Sequence, residues 1–410
     1  MKALILAAGE STRMRPLTAN KPKPLLHVAG KPFLEHTISS LKKSGIKDIV
    51  LLIGWRSERL QEYFGTGKKF GVTINYAHQT ARYGTAHAIG TARKYFNEPF
   101  MCLNGDILLM DEMVKGILSF YKKHNSTVMA LAEVEDPAGL GVVEVDNKKV
   151  KRIIEKPKKK VGTLINAGVY MFKPKIFDAV DKTQLSARGE YEITEALEIL
   201  INKMSHPVYG YQLTTPWLDI SMPWHLLNAN ELLMKNVKSK ISGTVQKYAT
   251  IEGPVQVGNG SIIRNGAYIV GPVIIGENCD IGPNCFIRPS SSIGNNCKIG
   301  NAVEVKNSIV MDYSNIPHHN YVGDSIIGEN CNLGSGTKVA NLRLDNKNIY
   351  TIVKGDRIET GRRKLGVIMG DNVKTGVNSV INIGTVIGEN SSIGPGAIAS
   401  GAIAPNSIIY

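Results

Sequence analysis

Hydrophobic positions divide the chain into two stretches with different periods. Up to about residue 228, short apolar runs alternate with amphipathic segments. Residues 2–7, 49–53, 100–103 and 127–132 read as buried strands, and 33–44 and 111–123 carry helical spacing. This alternation predicts an α/β domain over 1–228 with a mostly parallel sheet covered on both faces, where ligands gather at the carboxyl ends of strands. Residues 224–240 read as a helix, and a linker helix is expected over 229–244.

From about 245 the period becomes six. Val or Ile recurs at 257, 263, 269, 275, 281, 287, 293, 299 and 305, and Gly follows several of them. Four positions on come Ser261, Ala267, Val273, Cys279, Cys285, Ser291, Cys297 and Val303. Hexads of this kind predict a parallel β-helix over 245–410, three hexads to a coil, with aliphatic and small residues inward and Gly easing the corners. The pattern returns at Ile327, Leu333, Val339, Met369, Ile381, Ile387 and Ile393. Cys279, Cys285, Cys297 and Cys331 all fall in the small inward slot, so packing accounts for them without a metal.

The breaks carry chemistry. Arg288 and Lys306 occupy the slot usually given to Gly and lie 18 residues apart, one full coil. They are expected to stack in adjacent rungs about 4.8 Å apart. Two cations that close repel unless an anion joins them, which points to a phosphate clamp; solvated corner side chains are the plain alternative. Arg264 is out of step with them and reads as surface. Val305 and Ile327 are 22 residues apart, not a multiple of six, which predicts a short loop leaving the coil with His318, His319 and Tyr321. A histidine emerging beside the clamp suits a general base. Residues 342–365 lose the apolar hexads and carry seven Lys or Arg. They are expected to form a loop or a wider coil suited to an anionic ligand.

Composition narrows the partners. Of 410 residues, 43% are hydrophobic and 20% charged. No apolar run approaches ~20 residues, so no membrane span is expected, and Met-Lys leading into a strand is read as no signal peptide. The formal charge of +14 favours anionic partners. Aromatics do not interleave with the basic residues, so small polyphosphates are expected rather than nucleic acid. Five cysteines without a CxxC pair make no disulfide framework, which leaves free thiols and a cytoplasmic setting as the default.

The first strand ends in L-A-A-G-E-S-T-R-M-R-P-L-T-A-N-K-P-K-P-L-L, with Arg13, Arg15, Lys21 and Lys23 in quick succession. It is neither a Walker loop nor GxGxxG. Backbone amides around Gly9 suit phosphates, and Arg13 and Lys23 suit a triphosphate's charge.

This stretch resembles the signature loop of sugar-1-phosphate nucleotidylyltransferases. With an appended left-handed β-helix, the chain is similar to the bifunctional family of UDP-N-acetylglucosamine synthesis, which combines uridylyl transfer with acetylation of an amino-sugar-1-phosphate. The resemblance implies a Rossmann-like nucleotidyltransferase domain. It implies that Arg13 and Lys23 hold the nucleotide's phosphates and act catalytically. Leu6, Ala8 and Gly9 would line the nucleotide, and Gln79, Gly84 and Thr85 of Q-T-A-R-Y-G-T would read a uracil or thymine edge. Asp106 of L-N-G-D and Asp219 of W-L-D would hold Mg²⁺; Asp219 takes the form of the thymidylyl branch, so both UTP and dTTP stay open. Gly141, Glu155, Lys156 and Asn166 would form the sugar-phosphate pocket. On the β-helix, Arg288 and Lys306 would clamp the amino-sugar phosphate, His318 would be the general base, and Tyr321, Asn332 and Asn341 would contact amino sugar and acetyl-CoA. In this family CoA lies between neighbouring β-helices, which implies a homotrimer. The chain stops at Tyr410, short of the arm bacterial relatives carry, and no CoA contacts beyond those are assigned.

The chemistry suits these residue types: a sugar phosphate attacks an NTP in line with departing pyrophosphate, so alignment and charge neutralisation suffice. The opening basic cluster then reads as an electrostatic clamp. The rival reading is a monofunctional pyrophosphorylase whose β-helix only oligomerises or senses an effector; a third is a non-enzymatic subunit. Arg288, Lys306 and His318 weigh against a passive β-helix, and an intact Arg13, Lys23 and Asp106 set weighs against a non-enzymatic subunit.

Overall fold

The computed structural model describes residues 1–410 except Arg82, Lys158 and Lys160. The chain forms two compact units: Met1–Glu10 with Leu34–Asp219, and Ser11–Phe33 with Ile220–Tyr410. The boundary read from sequence therefore shifts in one respect: 11–33, which follows the first strand, packs with the second unit. The helix read over 224–240 spans His225–Met234, and the first short β-helix strand, Lys240–Ile241, falls inside the 229–244 read as linker.

In the first unit one sheet runs in the order Thr73–His78, Asp48–Ile53, Lys2–Leu6, Phe100–Asn104, Leu164–Phe172, Thr127–Glu133, Val208–Gln212, Lys149–Ile154, Val142–Asp146. The first four strands are mutually parallel. Beyond them the sheet is mixed, because Leu164–Phe172 enters antiparallel to both neighbours and Val142–Ile154 folds as a hairpin. Ile49, Val50, Leu51, Leu52 and Ile53 are buried in succession without alternation, as in strands covered on both faces. No helix among the described residues is long and apolar enough to cross a membrane.

The second unit is a β-helix of three parallel sheets whose strands follow one another in turn. Each Val or Ile of the hexad column from 257 to 305 is at most 2% exposed, and each residue of the small slot is as deeply buried. The four cysteines of that slot are free thiols in this core. Corner residues such as Asn278, Asn284 and Asn296 adopt left-handed backbone, which Asn tolerates well.

The expected loop between Val305 and Ile327 does not form. The inward column continues through Val310, Ile316 and Val322 to Ile327, all buried. The 22-residue spacing arises because two of the four steps are one residue short, so His318 ends a regular strand, Asn315–His318. The 342–365 excursion is a hairpin of Tyr350–Val353 and Asp356–Glu359 that leaves and rejoins the coil where Leu342 bridges Lys364.

One sheet departs from the inward-only rule. Ile309, Ile326 and Ile368 alternate with inward neighbours, so they point outward, yet each is 0% exposed. Segment 11–33 lies on this sheet: Gly30 N–H donates to Ser292 Oγ at 2.9 Å. A Cβ on Gly30 would come within 2.6 Å of Ile274. Asn230 of the His225–Met234 helix joins in, accepting from Ala29 N–H and donating to Ser290 O.

Ile299 fills the interior of one coil with no solvent contact. Ile299→Ala is expected to lower the unfolding free energy of the second unit by about 2–5 kcal/mol, read from urea denaturation.

Candidate functional sites

In the first unit the cleft lies where parallel strands end. Leu6 and Asn104 close their strands side by side, and Gly105 N–H donates to Leu6 O at 2.9 Å, tying the two exits. A cavity of about 310 Å³ there is lined by Leu6, Ala8, Gly9, Gln79, Gly84, Thr85, Asn104, Asp106 and Glu190. The structure thus brings Leu6, Ala8, Gly9, Gln79, Gly84, Thr85 and Asp106 to one place. Gly84 has φ +102°, and a Cβ there would sit 2.5 Å from Tyr191 O, so no larger residue fits. That turn fixes Thr85, whose hydroxyl accepts from Ile193 N–H at 3.0 Å. Gln79 is held by a 3.2 Å contact to His87 Nδ1.

Asp106 and Asp219 are 113 residues apart in sequence. An antiparallel bridge between Ile107 and Asp219, with Leu108 N–H donating to Leu218 O at 3.0 Å, makes their backbones neighbours. Asp106 lines the cleft, and with Asp219 beside it in the backbone the pair supplies the hard oxygen donors that magnesium prefers.

Arg13 and Lys23 belong to the second unit. Arg13 is exposed on the turn Thr12–Met14. Lys23 is 8% exposed and donates to Ile220 O at 2.9 Å. The basic cluster does not act as one: the Lys21 ammonium is 2.5 Å from Glu329 and 3.2 Å from Asp371. Its charge is therefore neutralised inside the unit and is withdrawn from the expected clamp.

Of the sugar-phosphate set, Gly141, Glu155 and Asn166 converge. Asn166 N–H donates to Gly141 O at 2.9 Å, and a Cβ on Gly141 would come 3.2 Å from Glu155 Oε2. Asn166 Nδ2 donates to Tyr170 OH at 2.7 Å, whose hydroxyl burial keeps protonated by raising its pKa. Lys156 is exposed in a turn with left-handed backbone. Sequence reading missed Arg188, which contacts Glu155 at 3.2 Å and Glu192 at 2.5 Å. It also missed Glu190 in the nucleotide cleft; the charged run R-G-E-Y-E was the available signal.

On the β-helix, Ile287 and Val305 are paired partners, which puts Arg288 and Lys306 on adjacent rungs as the spacing requires. Each cation has its own carboxylate: Arg288 reaches Glu304 at 2.8 Å and Lys306 reaches Asp324 at 3.2 Å. Their repulsion is thus relieved without an external anion. Asp324 is 2% exposed and also accepts from Asn341 Nδ2 at 2.6 Å, and the same amide reaches Tyr321 OH at 3.2 Å. Lys306, Tyr321 and Asn341 therefore form one cluster around Asp324. Lys364, not singled out from sequence, belongs with them: the charge of Lys306 pushes its ammonium pKa down. His318 is exposed at the corner preceding the Tyr321–Gly323 strand. Asn332 is exposed on the sheet that carries the His318 strand, and within one chain it is not joined to the Asp324 cluster.

A cleft of about 310 Å³ at strand ends in the first unit and a polar cluster on the β-helix of the second are two separate sites, as a two-site transferase of the nucleotidyltransferase class requires. Residues 2–236 match the nucleotidyl transferase family model, and residues 269–382 match the GMPPB C-terminal domain. Bifunctional protein GlmU of Methanococcus maripaludis is 40% identical over 100% of this chain and 97% of its own length. The protein of that name from Methanocaldococcus jannaschii is 39% identical with the same coverage. A bifunctional sugar-1-phosphate nucleotidylyltransferase/acetyltransferase of Sulfurisphaera tokodaii is 38% identical over 98% of this chain and 97% of its own. Among solved structures, UDP-glucose pyrophosphorylase complexed with UDP-glucose superposes with a TM-score of 0.52 at 25% identity, covering 57% of this chain and 98% of that one. The chain belongs to the bifunctional GlmU family. It is accordingly a nucleotidyltransferase and acetyltransferase, and the monofunctional alternative falls away.

Proposed function

We propose that the chain acetylates glucosamine-1-phosphate with acetyl-CoA and transfers a nucleotidyl group from UTP or dTTP to N-acetylglucosamine-1-phosphate, releasing pyrophosphate. The observation that carries this reading is the Lys306, Tyr321, Asn341 and Asp324 cluster, an assembly that a merely oligomerising β-helix does not need, with His318 three residues before Tyr321 in sequence. Backbone around Gly9 and the turn at Gly84 would position the nucleotide, with Gln79 toward its base. Arg13 and Lys23 would stabilise charge building on the phosphates. Asp106 and Asp219 would hold magnesium, which screens the attacking and leaving oxygens from each other. Glu155, Asn166 and Gly141 would seat the sugar.

At the second site Arg288, Lys306 and Lys364 would bind the sugar phosphate, with Arg288 and Lys306 each shared between that anion and its own carboxylate. His318 would take a proton from the attacking amine, since an ammonium has no lone pair for a thioester carbonyl. A homotrimer would follow the family expectation; on one sheet the outward register runs Tyr268, Phe286, Glu304, Tyr321, Lys338, Val380 and Ile398, an amphipathic column whose Tyr268 and Phe286 rings stack at 5.2 Å. Tyr268, Val380 and Ile398 are 38%, 40% and 68% exposed, and assembly would cover them.

The test is purified protein with magnesium, a panel of nucleoside triphosphates and sugar-1-phosphates, and acetyl-CoA with free-thiol detection. Thiol release with glucosamine-1-phosphate, and pyrophosphate release with its acetylated product, are expected. Pyrophosphate release without thiol release on any amino-sugar phosphate would overturn the acetylation half.

A further inference from the structure

Carboxylates form a column along one corner of the β-helix. Asp312, Glu329, Asp371 and Glu389 each stand two residues after an inward residue of the same sheet: Val310, Ile327, Met369 and Ile387. Segment 11–33 runs along this column, with His27, Lys21 and Arg15 at six-residue intervals beside successive members. His27 Nδ1 is 3.5 Å from Asp312. Lys21 lies between Glu329 and Asp371. Arg15 shares a cavity of about 430 Å³ with Glu389. The strongest rung is Lys21, which is 3% exposed, with Asp371 6% exposed, so water screens this contact little. Asp371 Oδ1 also accepts from Glu329 N–H at 2.9 Å, locking the two acceptors together.

Lys21 is two residues from Lys23, and Pro22 and Pro24 flank the latter. Pro22 has φ −70°, fixed by its ring, and Lys23 opens the tight turn Lys23–Leu25. A displacement at Lys21 therefore has little torsional slack in which to dissipate before it reaches Lys23.

We infer that this acidic column is a positioning device for nucleotidyl transfer: Lys21, Glu329 and Asp371 hold the loop that carries Arg13 and Lys23 without touching substrate. The inference rests on the nucleotidyl-transfer reading of Arg13 and Lys23. It makes the β-helix, some 350 residues away in sequence, a working part of the first reaction.

The experiment uses full-length protein as wild type, Lys21→Met, Lys21→Arg, Asp371→Asn and the double variant Lys21→Met/Asp371→Asn, with both activities measured on each. Since about 1 Å of misplacement costs up to about 100-fold, Lys21→Met is expected to lower nucleotidyl kcat by about 10- to 100-fold. Acetyl transfer should stay at its wild-type rate. Asp371→Asn should act in the same direction but less, and Lys21→Arg should recover most of the loss. The double variant should be no worse than Lys21→Met, because both changes remove one interaction. Unchanged nucleotidyl kcat and KM in Lys21→Met, or a double variant whose losses multiply, would overturn the inference. If Lys21→Met fails to fold, Asp371→Asn and Glu329→Gln decide: nucleotidyl kcat falls with acetyl transfer intact, or the inference fails. A wild-type protein without nucleotidyl transfer would instead defeat the underlying reading.

Discussion

Asp106→Asn is expected to lower nucleotidyl transfer by on the order of 1,000-fold, about 4 kcal/mol of transition-state stabilisation, while acetyl transfer continues at its wild-type rate. Asp106 follows a strand that ends in the cleft of about 310 Å³, and the Ile107 to Asp219 bridge sets the second carboxylate's backbone beside it. Asparagine keeps the size and one oxygen but removes the charge that a hard divalent ion requires. The deficit should be partly relieved at high magnesium concentration, because weakened binding of the ion is restored by mass action. A loss insensitive to magnesium, with unchanged thermal stability, would assign Asp106 a role in substrate contact instead. Equal loss of both activities would mean that the substitution had damaged the fold.

The legibility of this chain differs between its halves for physical reasons. A hexad repeat is written in local sequence because every inward position meets the same environment, so Val257 to Val305 and the slot from Ser261 to Val303 were readable residue by residue. The same regularity misled at 305–327. A spacing that is no multiple of six has two solutions, an expelled loop or two shortened corners, and only packing distinguishes them; Val310 and Ile316 continue the column. In the first unit, the neighbours of Leu6 are set by sheet order, yet the cleft residues were recognisable because the signature loop and Q-T-A-R-Y-G-T are each contiguous. Arg188 was missed because its partners, Glu155 and Glu192, meet it only through the fold.

Long-range pairing also explains the two electrostatic corrections. From sequence, Lys21 and Lys23 are equivalent cations, but Lys21 is neutralised by residues more than 300 positions later. Likewise Arg288 and Lys306 looked like a bare cation pair, and Glu304 and Asp324 were not counted with them. A cation that already has a carboxylate partner is held in place before substrate arrives. A sugar phosphate bound there would then meet an oriented donor and replace less ordered solvent.

His318→Ala is expected to reduce acetyl transfer by about 100- to 10,000-fold, the range for a lost general base, and to leave nucleotidyl transfer unchanged. His318 is exposed at a corner, with its backbone carbonyl accepting from Gly336 N–H at 3.0 Å, so truncating its side chain opens no core cavity. A fall in kcat with little change in KM for the amino sugar should accompany the loss, because the Lys306, Asn341 and Tyr321 cluster that would bind the substrate stays in place. The residual rate should rise with pH, as more substrate amine is already deprotonated in solution. His319→Ala is the matched control: its backbone is left-handed and its carbonyl accepts from Lys338 Nζ, so its side chain is turned differently from that of His318. A large loss in His319→Ala with a normal rate in His318→Ala would transfer the base to the neighbouring ring, and no loss in either would remove histidine from the acetyl-transfer step.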